Sequence, residues 1–595
     1  IGGDAPQTIR LTAHCPLLHM PAPLDLLLTG SSLNRNPVDT FSLFDGHYDL
    51  RGSRLGSVTT DQSDVTSPQA QLSQRQKHLA FAGVLTVLFL ASTNLTVVGT
   101  ALPRIIAELE GFNLYAWAFT SFSLTSTVTL PIYGRLSDVY GRRVIFLIGI
   151  VLFTIGSILC GMSQSMVQLI LFRTVQGLGG GALMAMSWSS IGDIFTPRER
   201  GRYQGYTGAV FGISSVVGPL LGGLITDTLG WRWVFFVSVP FAAVAFWAIA
   251  RFLPANELRE DEGVDFIGAL LLLLGIVPLL LALTWAGVDY PWGSPVIVGL
   301  ISFSIVLLIA FGWWQTRSRS PIIAPELFGN RTFNLANAAA FLTGVGLFGA
   351  VIYLPLYVQG VQAGSAAESG FALTPLMIGM VTASAVAGQM VTRTGRYRRF
   401  INTGLVIMIL GFLLASTMGP ETPVLYTVIF MVILGLGIGP TNSLYVLAVQ
   451  NALPARLLGT VTSANQFFRQ IGGTIGVTVF GALVTGRIRQ ALQTQLPAGF
   501  AEVPAETMNE LSNPNLLTNP EALEEARAVI EGVAGAGSFE TFVASLRLAL
   551  SDGIGLIFLV SMFLTILALL ASIFLPRVDL QGEAPTRAAR TGRSR

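Results

Sequence analysis

Two arginines stand where charge is expensive. Arg173 lies in LFRTVQGLGG and Arg469 in QFFRQIGG, each within a long stretch that holds no other charged residue. A guanidinium keeps its charge at physiological pH and offers donors but no acceptor, so it must meet oxygens wherever it is buried. Gln176, Gln466 and Asn442 can share that polar interior. One reading has both arginines bridging helices through carbonyl oxygens; otherwise a charge deep in an apolar span is a functional candidate. A further cluster is GRLSDVYGRR at 134–143, where Asp138 stands among Arg135, Arg142 and Arg143, between Gly134 and Gly141. The glycines permit tight turns at a helix end. The carboxylate can meet a positive helix N-terminus, a contact of about 0.3–1 kcal/mol when exposed and up to about 2 kcal/mol when partly buried.

Other chemistry finds no footing. All four histidines (His14, His19, His47, His78) precede the first long apolar run, so a histidine metal site or proton relay has no place within it. Cys15 and Cys160 are too far apart to suggest a disulfide framework or metal spacing. Lys77, the only lysine, follows Gln76 rather than a glycine, which rules out a phosphate-binding GK[ST] loop within this chain. No Ser/His/Asp constellation, metal set or cofactor motif is present, and enzymatic chemistry is not expected. Acids avoid the middles of the apolar runs: Glu368, Asp265 and Asp552 sit near run ends, and Asp193 closes the run that holds Arg173.

The elements that must position these residues are membrane helices. Of 595 residues, 52% are hydrophobic and 11% charged, and mean hydropathy is +0.63. Soluble domains carry about 25% charged residues. A net charge of +2 gives no reason to expect a nucleic-acid partner. Fourteen apolar stretches are each long enough to cross about 30 Å of hydrocarbon as a helix. They lie near 79–101, 114–133, 144–163, 166–190, 203–226, 233–252, 264–287, 294–314, 333–358, 366–391, 399–418, 423–450, 457–485 and 553–575. One set of short loops carries Arg135, Arg142, Arg143, Arg198, Arg200, Arg202, Arg251, Arg259, Arg317, Arg319, Arg331, Arg393, Arg396, Arg398, Arg399 and Arg456; the other carries Arg104 and Arg232. Positive loops stay inside, so both termini are expected to be cytoplasmic. Residues 1–76 read as a disordered cytoplasmic tail, their longest apolar run, LDLLL, being too short for a signal peptide. Residues 577–595 read as a second tail. The long outer loop 486–551 holds two segments of helical periodicity, 521–532 and 538–550, expected as a small helical cap or a plain insertion.

The chain repeats. Gly134, Gly141 and Arg142 after the second run fall on Gly388, Gly395 and Arg396 after the tenth; QGLGGG at 176–181 falls on LGLGIG at 434–439; Gly218 and Gly223 fall on Gly476 and Gly481. The expected architecture is all-α: two parallel six-helix bundles, 79–252 and 333–576, with a helix pair, 264–314, inserted between them. Two such halves form a transporter plan, with substrate held at the midplane and access alternating as they rock.

These motifs resemble the major facilitator superfamily over about residues 79–576, and within it the fourteen-span drug:proton antiporters. GRLSDVYGRR is similar to the family's signature loop, RTVQG at 173–177 to the motif with a buried arginine, and GPLLGG at 218–223 to the antiporter motif. The resemblance implies a multi-pass protein of the plasma (inner) membrane, monomeric among its lipids, exporting hydrophobic or amphipathic small molecules by alternating access coupled to protons. It implies that Gly134, Asp138, Gly141, Arg142 and Arg143 latch the cytoplasmic side. It implies that Gly218, Pro219, Gly222 and Gly223 form a gating seam against the opposite half, and that Arg173 tunes a nearby acid in proton transfer, Asp193 and Glu368 being further coupling candidates. Asn94, Trp117, Gln176, Tyr353, Tyr357, Asn442, Gln466 and Arg469 are the candidate substrate cavity. One departure matters: Asn94 stands where the family often has an acid, and an amide carries no proton. That leaves open a permease for a metabolite, lipid or anion with weak or no proton coupling, and a transport-fold sensor without flux.

Overall fold

Apolar composition, capping residues and glycine spacing between them dictate the helices and how closely they pack. The computed structural model describes residues 73–576 except 110–113, 255–262, 287–289, 365, 496–510, 512–515, 518–519 and 536. The expected tails therefore lie outside the described residues, apart from 73–76. In chain order the helices are α1 (Gln74–Leu109), α2 (Tyr115–Tyr140), α3 (Arg142–Gly161), α4 (Met166–Ile194), α5 (Pro197–Thr228), α6 (Arg232–Phe236), α7 (Ser238–Phe252), α8 (Phe266–Trp285), α9 (Pro295–Gln315), α10 (Arg331–Leu356), α11 (Ala366–Thr394), α12 (Tyr397–Ala415), α13 (Val424–Ala452), α14 (Leu458–Gln495), α15 (Pro520–Ala534) and α16 (Ser538–Ile573). Their starts carry the expected caps. Ser165 accepts from the Gln168 amide, Asp265 from Gly268 and Asn330 from Thr332, and Thr196 with Glu199 forms a capping box before Pro197.

Thirteen described helices are long and apolar enough to cross a membrane. The expected second span, α2, is not among them, because a row of Ser and Thr dilutes its hydropathy. It is nonetheless continuous and packs against α4 and α14. Several of its hydroxyls turn back onto their own helix: Thr125 donates to the Ser121 carbonyl at 2.7 Å and Thr129 to the Thr125 carbonyl at 2.8 Å. A hydroxyl satisfied in that way can be buried among helices at little cost.

Two bundles result, with α1–α7 forming the first and α10–α14 with α16 the second. They are joined where α2 meets α14 and where α5 meets α11. The internal repeat is realised in space. Gly141 and Gly395 end their helices with φ of 84° and 72°, which a side chain would resist. A β-carbon at Gly179 would lie 2.3 Å from the Phe153 amide nitrogen on α3; one at Gly437 would lie 2.4 Å from the Met408 nitrogen on α12. The inserted α8 and α9 pack on each other; α8 also packs against α2 and α14, and Phe311 of α9 reaches the buried cluster that holds Phe333. The face of α9 that carries Phe303, Val306, Ile309 and Trp313 is exposed, as lipid contact requires. Of the two periodic segments in the long loop, one is the separate helix α15, and the other is continuous with the last span in α16. Ile530 of α15 and Phe542 of α16 share one buried cluster.

Candidate functional site at the joint between the bundles

The arginine-rich end of the first seam is built around one carboxylate. Asp138, at the end of α2, accepts from the Gly459 amide at 2.8 Å, the Thr460 amide at 2.7 Å and the Thr460 hydroxyl at 2.8 Å, all in the first turn of α14. Its side chain is fully enclosed. Those amides lack partners within their own helix, so an anion placed there satisfies them and the helix dipole together. The bundles come this close because position 134 has no side chain: a β-carbon on Gly134 would lie 2.8 Å from the Gly459 carbonyl oxygen. Arg142 supports the arrangement from within the first bundle. It pairs with Asp138 at 3.4 Å and with Asp193, and donates to the Ser189 carbonyl at 3.3 Å. Arg143 turns away to the Ala250 carbonyl on α7.

The second seam repeats the first without its charge. Thr392 follows Gly388 by four residues, as Asp138 follows Gly134. Its hydroxyl accepts from the Arg202 amide at 3.1 Å, in the opening turns of α5, and its carbonyl accepts from Arg198 Nε at 3.2 Å. Gly388 in turn lies against Gly201 and Gly205. Between the seams, Gln450 accepts from Gln204 at 3.1 Å and donates to the Trp188 carbonyl at 3.1 Å and to Thr462 at 3.0 Å, while Arg200 reaches Asn451 at 3.2 Å. Sequence reasoning passed over Thr392, Gln204, Gln450 and Arg200. The repeat offered the signal for Thr392, since it occupies the register of Asp138.

Within the spans the two arginines differ. Arg173 is wholly enclosed. It donates to Asn94 Oδ1 at 2.5 Å, Gln176 Oε1 at 2.7 Å and the Ala118 carbonyl at 3.1 Å, and lies 4.4 Å from the centre of the Phe122 ring. Gln176 passes the network to Ser157 at 2.6 Å. Arg173 thus ties α1, α2, α3 and α4 together. Arg469 on α14 donates to the Asn442 carbonyl at 3.0 Å, to the Asn442 side chain and to Gln466 Oε1. It faces the opposite bundle, 5.7 Å from the Trp188 ring on α4.

A sequence profile described as Major Facilitator Superfamily matches residues 84–477. The chain belongs to the major facilitator superfamily. It is 36% identical over 514 residues to the multidrug transporter protein MdtP of Bacillus subtilis (strain 168), covering 86% of this chain and 95% of that protein. It is 40% identical over 403 residues to multidrug resistance protein 3 of the same organism, covering 68% of this chain and 78% of that one. The solved proton:xylose symporter XylE, bound to 6-bromo-6-deoxy-D-glucose, shares the fold with a TM-score of 0.53 at 11% identity, over 86% of this chain and 98% of that one.

The remaining candidates take these places in the superfamily fold. Gly218 and Gly222 of α5 face α1 of their own bundle, where a β-carbon would lie 3.3 Å from the Thr93 and 2.7 Å from the Val97 carbonyl oxygens; Gly223 has open space beside it. Pro219 lies inside the continuous α5. The glycines of α5 that touch the other bundle are Gly201, Gly205, Gly208 and Gly212, earlier in the helix. Trp117 stacks edge-on with Trp285 of the inserted pair, ring centres 5.7 Å apart. Tyr353 and Tyr357 are buried, donating to the Val477 carbonyl at 2.9 Å and the Gly419 carbonyl at 2.8 Å. Glu368 is exposed in the first turn of α11. On the face away from the arginine-rich loops, Glu108 accepts from Arg232 and from Trp231 at 2.8 Å, and these two donors hold its carboxyl below the usual carboxylate range. Among the described residues no three His, Cys, Asp or Glu side chains gather as a metal site would need.

Proposed function

We propose that this protein exports hydrophobic or amphipathic small molecules across the plasma membrane by alternating access, as a monomer with its arginine-rich loops and both termini in the cytoplasm. The names of its relatives and the arginine asymmetry support this direction. The observation that carries the mechanism is Asp138 seated on the first turn of α14. With Asp138 in place the cytoplasmic side is shut, and the bundles must part there before a molecule can enter from within. Asp138 and Asp193 share Arg142 and are the carboxylates of that joint, so a proton entering there weakens the latch and couples opening to proton flow. The experiment is dye uptake into everted vesicles under an imposed pH gradient. Accumulation in the wild type, and its loss when Asp138 becomes Lys, agree with the proposal; no dye movement under any gradient would sink it.

A second reading, export without a proton, is favoured by one specific observation. Arg173 meets an amide, Asn94, where a coupling carboxylate would stand, and its other acceptors are also neutral. The same vesicles distinguish the two, since uptake that follows membrane potential and ignores the pH gradient selects the second.

A further inference from the structure

We propose that the midplane surface beside Arg469 binds the anionic group of an amphipathic organic molecule, with Gln466 as a neutral donor and Trp188 as the apolar wall. The inference rests on the export reading and names the substrate class of that site. Every acceptor that Arg469 holds is neutral: the Asn442 carbonyl, the Asn442 side-chain oxygen and Gln466 Oε1. A buried cation with no counter-charge is unstable relative to the same cation with one. Gln466 is 7% exposed, and its Nε2 is buried with no hydrogen-bond partner. That donor hangs from the same carbon as the oxygen Arg469 grips, so a single carboxylate or sulfonate can take a hydrogen from each.

The contacts of Arg469 favour an anion over a cation. Arg173, the other guanidinium within a span, lies toward the far end of α4 from Trp188 and also holds only neutral oxygens. The described carboxylates nearest this joint, Asp138 and Asp193, are both engaged by Arg142. Arg173 is sealed, whereas Arg469 keeps 8% of its surface at the joint between the bundles. Its neighbours also suit the role. Arg469 and Gln466 belong to the second bundle and Trp188 to the first, and Gln470 reaches Met184 of the first bundle at 3.9 Å. A molecule seated there touches both halves, as a transported molecule must if it is to bias their movement. The electrical consequence fits Asn94: an interior-negative membrane potential drives an anion outward, so export of such a molecule does not need a carboxylate at that position.

The test uses fluorescein and rhodamine 6G, which share a xanthene core and carry opposite charge at mildly alkaline pH. Fluorescence anisotropy with the purified full-length protein should show saturable fluorescein binding and weaker rhodamine 6G binding. Arg469→Gln should weaken fluorescein by at least about tenfold, and Arg469→Lys by clearly less. Equal or tighter binding of rhodamine 6G to the wild type, or an unchanged fluorescein affinity in Arg469→Gln, overturns the proposal. Should Arg469→Gln fail to fold, Gln466→Leu reads the same contact, with a severalfold loss expected and no loss contradicting it. Fluorescein bound at Arg469 but never moved in vesicles sinks the export reading and keeps the site. Dye export indifferent to Arg469→Gln sinks the site and keeps export.

Discussion

At the scale of single residues, the charges decide which contacts hold the bundles in place. Arg173 satisfies two amide oxygens, so Arg173→Met strands Asn94 Oδ1 in a dry interior and leaves Gln176 Oε1 with only the weak Cys160 thiol donor. Each orphaned group costs about 1–3 kcal/mol. The melting temperature should fall, and Arg173→Met with Asn94→Leu should recover part of the loss, a coupling that thermal melts of the two single variants and the double variant measure directly. No recovery would mean that the two side chains act independently. Glu108 gives a pH prediction. Its folded carboxyl titrates below its unfolded value of about 4.3, so the Arg232 and Trp231 contacts stabilise the fold above that value and lose their effect as pH falls through the folded one. Fluorescence of the buried Trp231 should report acid loosening that Glu108→Gln removes. The residue-level chemistry was legible in the sequence where a charge broke an apolar run, as at Arg173, Arg469 and Asp138. It was illegible where a neutral side chain did the work, as at Gln450 and Thr392, because an amide or hydroxyl in a span is ordinary.

At the scale of elements, glycines set which helices can touch. A β-carbon on Gly388 would lie 2.3 Å from the Gly201 carbonyl oxygen, across the joint between α11 and α5. Gly388→Ala should disfavour closure on the arginine-rich side by about 1–3 kcal/mol, the usual cost of overpacking. A cysteine replacing the buried Ser384 should then be labelled faster by a soluble maleimide, whereas Gly223→Ala, with open space around it, should leave labelling unchanged. Equal effects at both positions would mean the seam is not where closure is decided. The uncharged second latch makes a different prediction. Thr392→Asp places a carboxylate beside Arg198 and the first turns of α5, in the register of Asp138. Turnover should slow because the closed side is held longer, while Thr392→Asn should change little; faster turnover in Thr392→Asp would contradict the equivalence. The helices themselves could be read from hydropathy and caps, α2 included once its polar row is recognised as self-bonded. The partner of each glycine face could not. Gly218 and Gly222 read as a seam with the opposite half, yet they lie against α1, because a smooth face says how near a neighbour can come and not which neighbour it is.

At the scale of the whole molecule, the repeat places Asp138 and Thr392 at equivalent points of two seams, one charged and one neutral. The charged seam is the stronger, since hydrogen bonds to an ionised group contribute about 1.5–3 kcal/mol against about 1 kcal/mol for neutral ones. Asp138→Asn keeps the shape of the proposed latch and removes its charge, a loss of about 2 kcal/mol or roughly 30-fold in the balance between closed and open arginine-rich sides. The most direct test is electron–electron resonance between spin labels on Arg251→Cys of α7 and Arg393→Cys of α11, both exposed, with Cys15 and Cys160 replaced. The wild type should give one distance population, and Asp138→Asn a second, longer one that grows at the expense of the first. An unchanged distribution in Asp138→Asn would contradict the proposed latch and, with it, the account of two halves whose closure on the arginine-rich side depends on that carboxylate.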